Sequence, residues 1–140
     1  MNSRIKFYSA EVDFKLTNRI KARNWLVKVI EEENKGPLNI SYIFCSDDYL
    51  LELNKEYLHH STLTDILTFP DVTSGGKKSG DIFISIDRIK ENAQKYLQPF
   101  EKELNRVMVH GVLHLLGYED KLKKDKHLMT LKEDYYLSKF

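Results

Sequence analysis

The run His110-Gly111-Val112-Leu113-His114-Leu115-Leu116-Gly117-Tyr118-Glu119-Asp120 decides how this chain folds. From Val107 to Leu116 nearly every position other than the histidines and Gly111 is apolar, which predicts a helix surrounded by protein on most sides. Two imidazoles four residues apart on that helix share one face and lie within reach of a single ion. Gly117 can take the left-handed conformation that ends a helix, and the turn it makes brings Asp120 back beside the histidines as a third ligand. The reading is a central helix holding a transition metal such as zinc on His110, His114 and Asp120, with one coordination position left open.

The pattern is more specific than its parts. With five histidines in 140 residues, a chance pair at i and i+4 is expected about 0.17 times in such a chain. Requiring Gly at i+7 and Asp, Glu or His at i+10 lowers this to on the order of 0.001. A pair of core histidines with ordinary hydrogen-bond partners is the alternative. It fits less well, because a nearly apolar helix accepts Leu or Val more readily than two imidazoles that need partners. The spacing matches the zinc-protease pattern H-E-x-x-H-x-x-G-x-x-H at its first two ligands and its glycine, yet Gly111 stands where that pattern has its general-base Glu. Peptidase chemistry of that type therefore loses its base.

Working outward, Ile5, Phe7 and the stretch to Phe14 predict an opening strand with its turn. Thr17 is then placed to cap a helix carrying Ile20, Trp25, Leu26, Val27, Val29 and Ile30, which Gly36-Pro37 ends. Ile40, Tyr42 and Phe44 alternate as in a strand, and Ser46 is placed to cap a second helix through Tyr57. Thr64–Phe69 and Asp81–Ile86 predict a long-looped hairpin around DVTSGGKKSG, a Gly- and Ser-rich stretch that suits a mobile surface connection. Asp87 is a candidate cap for a third helix, Pro99 separates it from the central helix, and Leu128, Leu131 and Tyr135 mark an amphipathic closing helix. The order βαβαββααα points to an α+β fold, a small mixed sheet packed with helices, in one domain over residues 1–140.

Composition narrows the classes. With 41% hydrophobic and 31% charged residues, the chain suits a globular protein rather than a disordered one. Its apolar runs fall well short of the roughly 20 residues a bilayer span needs, so no membrane association is expected. The start MNSRIKFYSAEVDF lacks the apolar run of a secretory signal, and Cys45, the sole cysteine, excludes an intramolecular disulfide and a Cys-rich zinc cluster. A cytoplasmic location follows as the expectation. The net charge of +1 makes no global case for nucleic acid, so any such case must be local.

These residues resemble the YbeY family of bacterial single-strand-specific endoribonucleases, whose signature is similar to H-G-x-L-H-L-x-G-Y-D-H. The likeness extends through LNKEYLHHSTLTDILTFP (Leu53 to Pro70) and GDIFISIDRIKENA (Gly80 to Ala93). It implies a zincin-like fold, one zinc ion and hydrolysis of RNA phosphodiester bonds. It also implies roles in 16S rRNA 3′-end maturation and ribosome quality control, with single-stranded RNA and the small ribosomal subunit as partners. Two departures stand out. The third family histidine aligns with Asp120, an acceptable zinc oxygen ligand that lowers the site's net charge by one and also suits a harder ion such as manganese. The family arginine after Tyr57 is Leu58 here.

Other residues are weighed against plainer roles. His127 competes with Asp120 as third ligand, though a closing-helix position suits a surface residue better. His59 and His60 lie beside Leu58, where loop histidines are more often simply solvated. Asp65 and Asp81 are candidates to orient a ligand imidazole, but they receive no catalytic role, and no residue is assigned as general base. Lys121, Lys123, Lys124 and Lys126, with Lys77 and Lys78 on the long loop, are compatible with phosphate contacts. Tyr49, Tyr57 and Tyr118 are candidate stacking platforms. Besides the metal-dependent endoribonuclease, a metallopeptidase-like hydrolase and a ribosome-binding factor with a structural metal are the competing readings.

Overall fold

Leu38, Ile40, Tyr42 and Phe44 recur at every second position and all are buried, as the two-residue side-chain period of a strand covered on one face requires. In the computed structural model, which describes residues 3–59, 63–72 and 78–140, they form an inner strand of a four-stranded sheet. The elements run β1 (Ile5–Ser9), α1 (Arg19–Glu33), β2 (Leu38–Cys45), α2 (Asp47–Leu58), β3 (Ile66–Val72), β4 (Lys78–Ser85), α3 (Ile86–Lys95), α4 (Phe100–Leu115) and α5 (Lys123–Leu137). That is the order read from the sequence, and the α+β class with a mixed sheet holds.

The strand order is β1-β2-β4-β3, with β1, β2 and β4 parallel and β3 antiparallel to β4. β3 and β4 form the expected hairpin, but the strands run further into the expected connection, to Val72 and from Lys78, so that Asp71, Val72 and Lys78 to Gly80 are strand. Ile86 begins α3 instead of ending β4. Pro70 lies in β3, an edge strand, where a missing N–H costs no ladder bond. One face of the sheet carries the main core, in which Phe7, Tyr42, Phe44, Ile82 and Ile84 join residues of α1 and α4 such as Leu26, Ile30, Val109 and Val112. The other face packs a smaller cluster of Cys45, Leu50 and Leu67 with Leu53, Phe69 and Phe83.

Helix α4 lies close against the sheet. A Cβ on Gly111 would stand 2.9 Å from Ile82 Cδ1 and 3.1 Å from Ile66 Cδ1, so any side chain here would push these residues of β4 and β3 away from the helix. The buried Tyr42 hydroxyl donates to Met108 O at 2.7 Å and ties β2 to the turn of α4 that precedes His110.

Several local expectations change. Ser46 caps α2, accepting from Tyr49 N at 3.2 Å. Thr17 does not cap α1, whose N-cap is Asn18 without a side-chain bond. At the start of α3 the cap is Ser85, which accepts from Arg88 N, while the Asp87 carboxylate is drawn across to accept from Asp47 N at 2.9 Å. In α5 the buried residues are Met129, Glu133 and Tyr136, and Leu128, Leu131 and Tyr135 are exposed, the reverse of the predicted amphipathic face. The helix is set in this rotation by polar anchors: Trp25 Nε1 donates to Tyr136 O at 2.8 Å, and Glu133 reaches His110.

Candidate metal centre

The end of α4 builds the site. Gly117 adopts φ +108°, its N–H donates to His114 O at 3.0 Å, and the Tyr118 N–H donates to Leu113 O at 3.0 Å. This paired closure is the Schellman arrangement that a left-handed glycine permits. It reverses the chain so that Asp120 Oδ2 lies 3.3 Å from His110 Nε2 and 3.4 Å from His114 Nε2. One donor atom from each of the three residues falls within 4.8 Å of the others, so His110, His114 and Asp120 could hold a metal ion.

The distances bear on what this cluster is for. Two donors each about 2.1 Å from a common tetrahedral centre stand about 3.4 Å apart. Charge-assisted hydrogen bonds are shorter, at about 2.7–2.9 Å. The two imidazole–carboxylate spacings thus fit ligands around an ion better than hydrogen-bonded partners. Two nitrogens and one oxygen also form a donor set of the catalytic zinc type, which keeps a position for water or substrate.

A second layer holds His110. Its Nδ1 is 2.6 Å from Glu133 Oε2, and Glu133 Oε1 accepts from Arg106 at 2.8 Å. Arg106 also donates to Asp134 Oδ1 at 2.6 Å. A proton on Nδ1 directed at Glu133 leaves the Nε2 lone pair facing Asp120, which is how a carboxylate fixes the tautomer of a ligating histidine. Burial works to lower the His110 pKa, but the Glu133 hydrogen bond and charge, with Asp120 and Asp65, outweigh it and raise the value. Asp65 is itself pushed up by burial, as is Glu103, to which the charge of Asp65 contributes.

The site opens into a cleft of about 470 Å³, whose lining includes Leu58, Asp65, Glu103, Arg106 and Glu133 beside the three candidate ligands. Asp65 is therefore brought to the site, whereas Asp81 is exposed on β4 and does not line the cleft. His127 is exposed on α5, apart from the ligand group. His59 is exposed at the left-handed end of α2; His60 and Lys77 lie outside the described residues, as do 73–77 of the long loop. Lys121, Lys123, Lys124 and Lys126 are exposed directly after Asp120. Tyr57 is exposed, Tyr49 stacks on Phe83, and the Tyr118 hydroxyl is engaged by Glu33. Burial, with the charges of Asp47 and Asp87, pushes the Cys45 thiol up to about 12, so it supplies no thiolate at neutral pH.

Glu133, Arg106 and Glu103 escaped the sequence reading. A signal for Glu133 was present, because Met129, Glu133 and Tyr136 fall at i, i+4 and i+7. The competing stripe of Leu128, Leu131 and Tyr135 is more apolar and masked it.

Known proteins resemble this chain over nearly its whole length. The family model described as Endoribonuclease YbeY matches residues 5–140. An endoribonuclease YbeY of Flavobacterium psychrophilum is 50% identical over 133 residues, covering 95% of this chain and 94% of that protein. One from Cytophaga hutchinsonii is 46% identical over 134 residues, covering 96% and 94%. A Thermotoga maritima protein whose structure was determined in solution superposes with a TM-score of 0.61 at 28% identity, covering 96% of this chain and 87% of that one.

Proposed function

The chain belongs to the Endoribonuclease YbeY family, and from that membership we propose that it is a metal-dependent endoribonuclease that cuts single-stranded RNA, with His110, His114 and Asp120 as the metal ligands. The observation that carries the reading is the pair of 3.3 and 3.4 Å spacings from one carboxylate oxygen to two imidazole nitrogens at the wall of an open cleft. Zinc is the proposed ion, with manganese also suited to the carboxylate. When bound, it supplies Lewis acidity, lowering the pKa of a water and offsetting charge on phosphoryl oxygens.

The chain's own residues do the rest. Glu133 holds the His110 proton on Nδ1 and keeps Nε2 free to ligate. Arg106 holds Glu133 in place and brings a positive charge to the cleft. The lysines that follow Asp120 offer contacts to RNA phosphates on the strand leaving the cleft. The finer role, 16S rRNA 3′-end maturation and ribosome quality control on the small subunit in the cytoplasm, is what the family resemblance supports. Among the described residues no helix is long and apolar enough to cross a membrane. One domain over residues 1–140 carries the activity.

The competing readings are less well supported. Position 111 is glycine, and the general-base Glu of zinc peptidases could stand there only by displacing Ile82 and Ile66. A purely structural metal prefers a closed set of four protein ligands, whereas three candidates border a cleft. The test is cleavage of an end-labelled single-stranded RNA and of the same strand in a duplex. Internal cuts in the single strand alone, reduced at least about 100-fold in a folded His114→Ala variant, are expected. Equal cutting by His114→Ala, or products released only from the ends, would overturn the proposal.

A further inference from the structure

We propose that Glu33, at the far end of α1, is a positioning residue for the metal centre, acting through Tyr118 on the placement of Asp120. The inference rests on the metal-ligand reading given above.

Asp120 lies in a stretch with neither helix nor strand between the end of α4 and the start of α5. Gly117 sets the direction of that stretch, but a left-handed residue alone leaves the segment beyond it free to swing. The anchor is Tyr118, two residues before Asp120. Its hydroxyl donates to Glu33 Oε1 at 2.6 Å. Lys35 Nζ lies 4.8 Å from the centre of its ring and Lys132 Nζ lies 5.6 Å away. Lys35 Nζ also donates to Leu116 O at 3.1 Å, at the C-cap of α4.

Glu33 is a costly residue to bury without purpose. Its side chain is 5% exposed, and an unpaired buried carboxylate is strongly disfavoured. It is instead fully engaged: Oε2 accepts from Lys132 Nζ at 3.1 Å and from the Tyr136 hydroxyl, while Oε1 takes Tyr118. Burial alone would raise its pKa, but these three bonds outweigh burial and lower it, so the group remains a carboxylate. One anion thus joins the end of α1, the turn before Asp120 and helix α5. None of the three candidate ligands touches it, and its effect on the ion runs through geometry alone.

The experiment measures zinc affinity by competition with a chromophoric chelator, without RNA, for wild type, Glu33→Gln and Tyr118→Phe, each also in an Asp120→Ala background. With Asp120 present, Glu33→Gln is expected to weaken zinc about tenfold, at the low end for outer-shell partners. Tyr118→Phe, which keeps the ring and loses only the hydroxyl, is expected to weaken it about threefold. With Asp120 removed, both should change affinity by less than about twofold, because the turn no longer carries a ligand. Unchanged affinity with Asp120 present overturns the inference. An equal loss in both backgrounds also overturns it, since Glu33 would then act through the general fold. Should Glu33→Gln fail to fold, Tyr118→Phe decides by the same two comparisons. A wild type that binds no zinc removes the metal-centre reading itself and this inference with it, an outcome distinct from the other two.

Discussion

The nitrogen and oxygen halves of the candidate centre reach one point by different physical routes. His110 and His114 are set by the 3.6-residue period of α4, stand 20% and 29% exposed, and lean on a helix packed into the core. Asp120 is 37% exposed in a stretch without regular structure. The imidazole pair is built by local sequence, whereas the carboxylate is assembled from tertiary contacts of α1 and α5. The sharpest way to break this contrast is Glu133→Gln, which removes the charge behind His110 and keeps its shape. Zinc affinity should fall about 10- to 100-fold, as for other outer-shell carboxylates, in a chelator competition assay. Unchanged affinity would mean that helix geometry alone holds the imidazole.

A proton titration sharpens the same contrast. The folded His110 pKa is raised, so in metal-free protein its stabilising contribution is fully present below the unfolded value of about 6.5. That contribution is lost as pH rises through the folded value. Metal binding needs the neutral ring, so zinc affinity should run in the opposite sense. It should weaken as pH falls through the raised His110 pKa, about tenfold per pH unit for each proton displaced. In Glu133→Gln the weakening should begin at lower pH, because the group that raises the value has gone. Calorimetric zinc titrations across about pH 5 to 8 read both effects.

The smallest effect lies beyond the turn. Lys123→Gln with Lys124→Gln should leave zinc affinity unchanged and weaken binding of single-stranded RNA severalfold. The slope of log affinity against log salt should become shallower by about 1.4, or 0.7 for each phosphate that a lysine no longer neutralises. An unaltered slope would assign both lysines to the solvated surface.

How much of this was legible in the sequence follows from the same division. The i, i+4 histidines, Gly117 and Asp120 lie within eleven consecutive residues. Helix periodicity places the histidines and one left-handed glycine turns the chain back toward them, while the contacts that fix Asp120 there are tertiary. Strand alternation in β2 and the cap at Ser46 are likewise local, and both hold. What escaped depends on partners distant in sequence. Glu133 is 23 residues from His110, and Glu33 is 85 from Tyr118. Apolar count favours Leu128, Leu131 and Tyr135 as the inner face of α5, whereas the helix turns to satisfy Glu133 and Tyr136 against His110, Glu33 and Trp25. Asp87 is a good cap by type, but Ser85 sits one residue before the helix and takes the place.

Metal content of the purified protein tests the account most directly, measured by elemental analysis on wild type, Asp120→Ala and His127→Ala. One equivalent in wild type and in His127→Ala, with well under one equivalent retained by Asp120→Ala, whose two imidazoles still bind zinc weakly, is the predicted result. Full retention in Asp120→Ala together with loss in His127→Ala would contradict it and move the third ligand to α5.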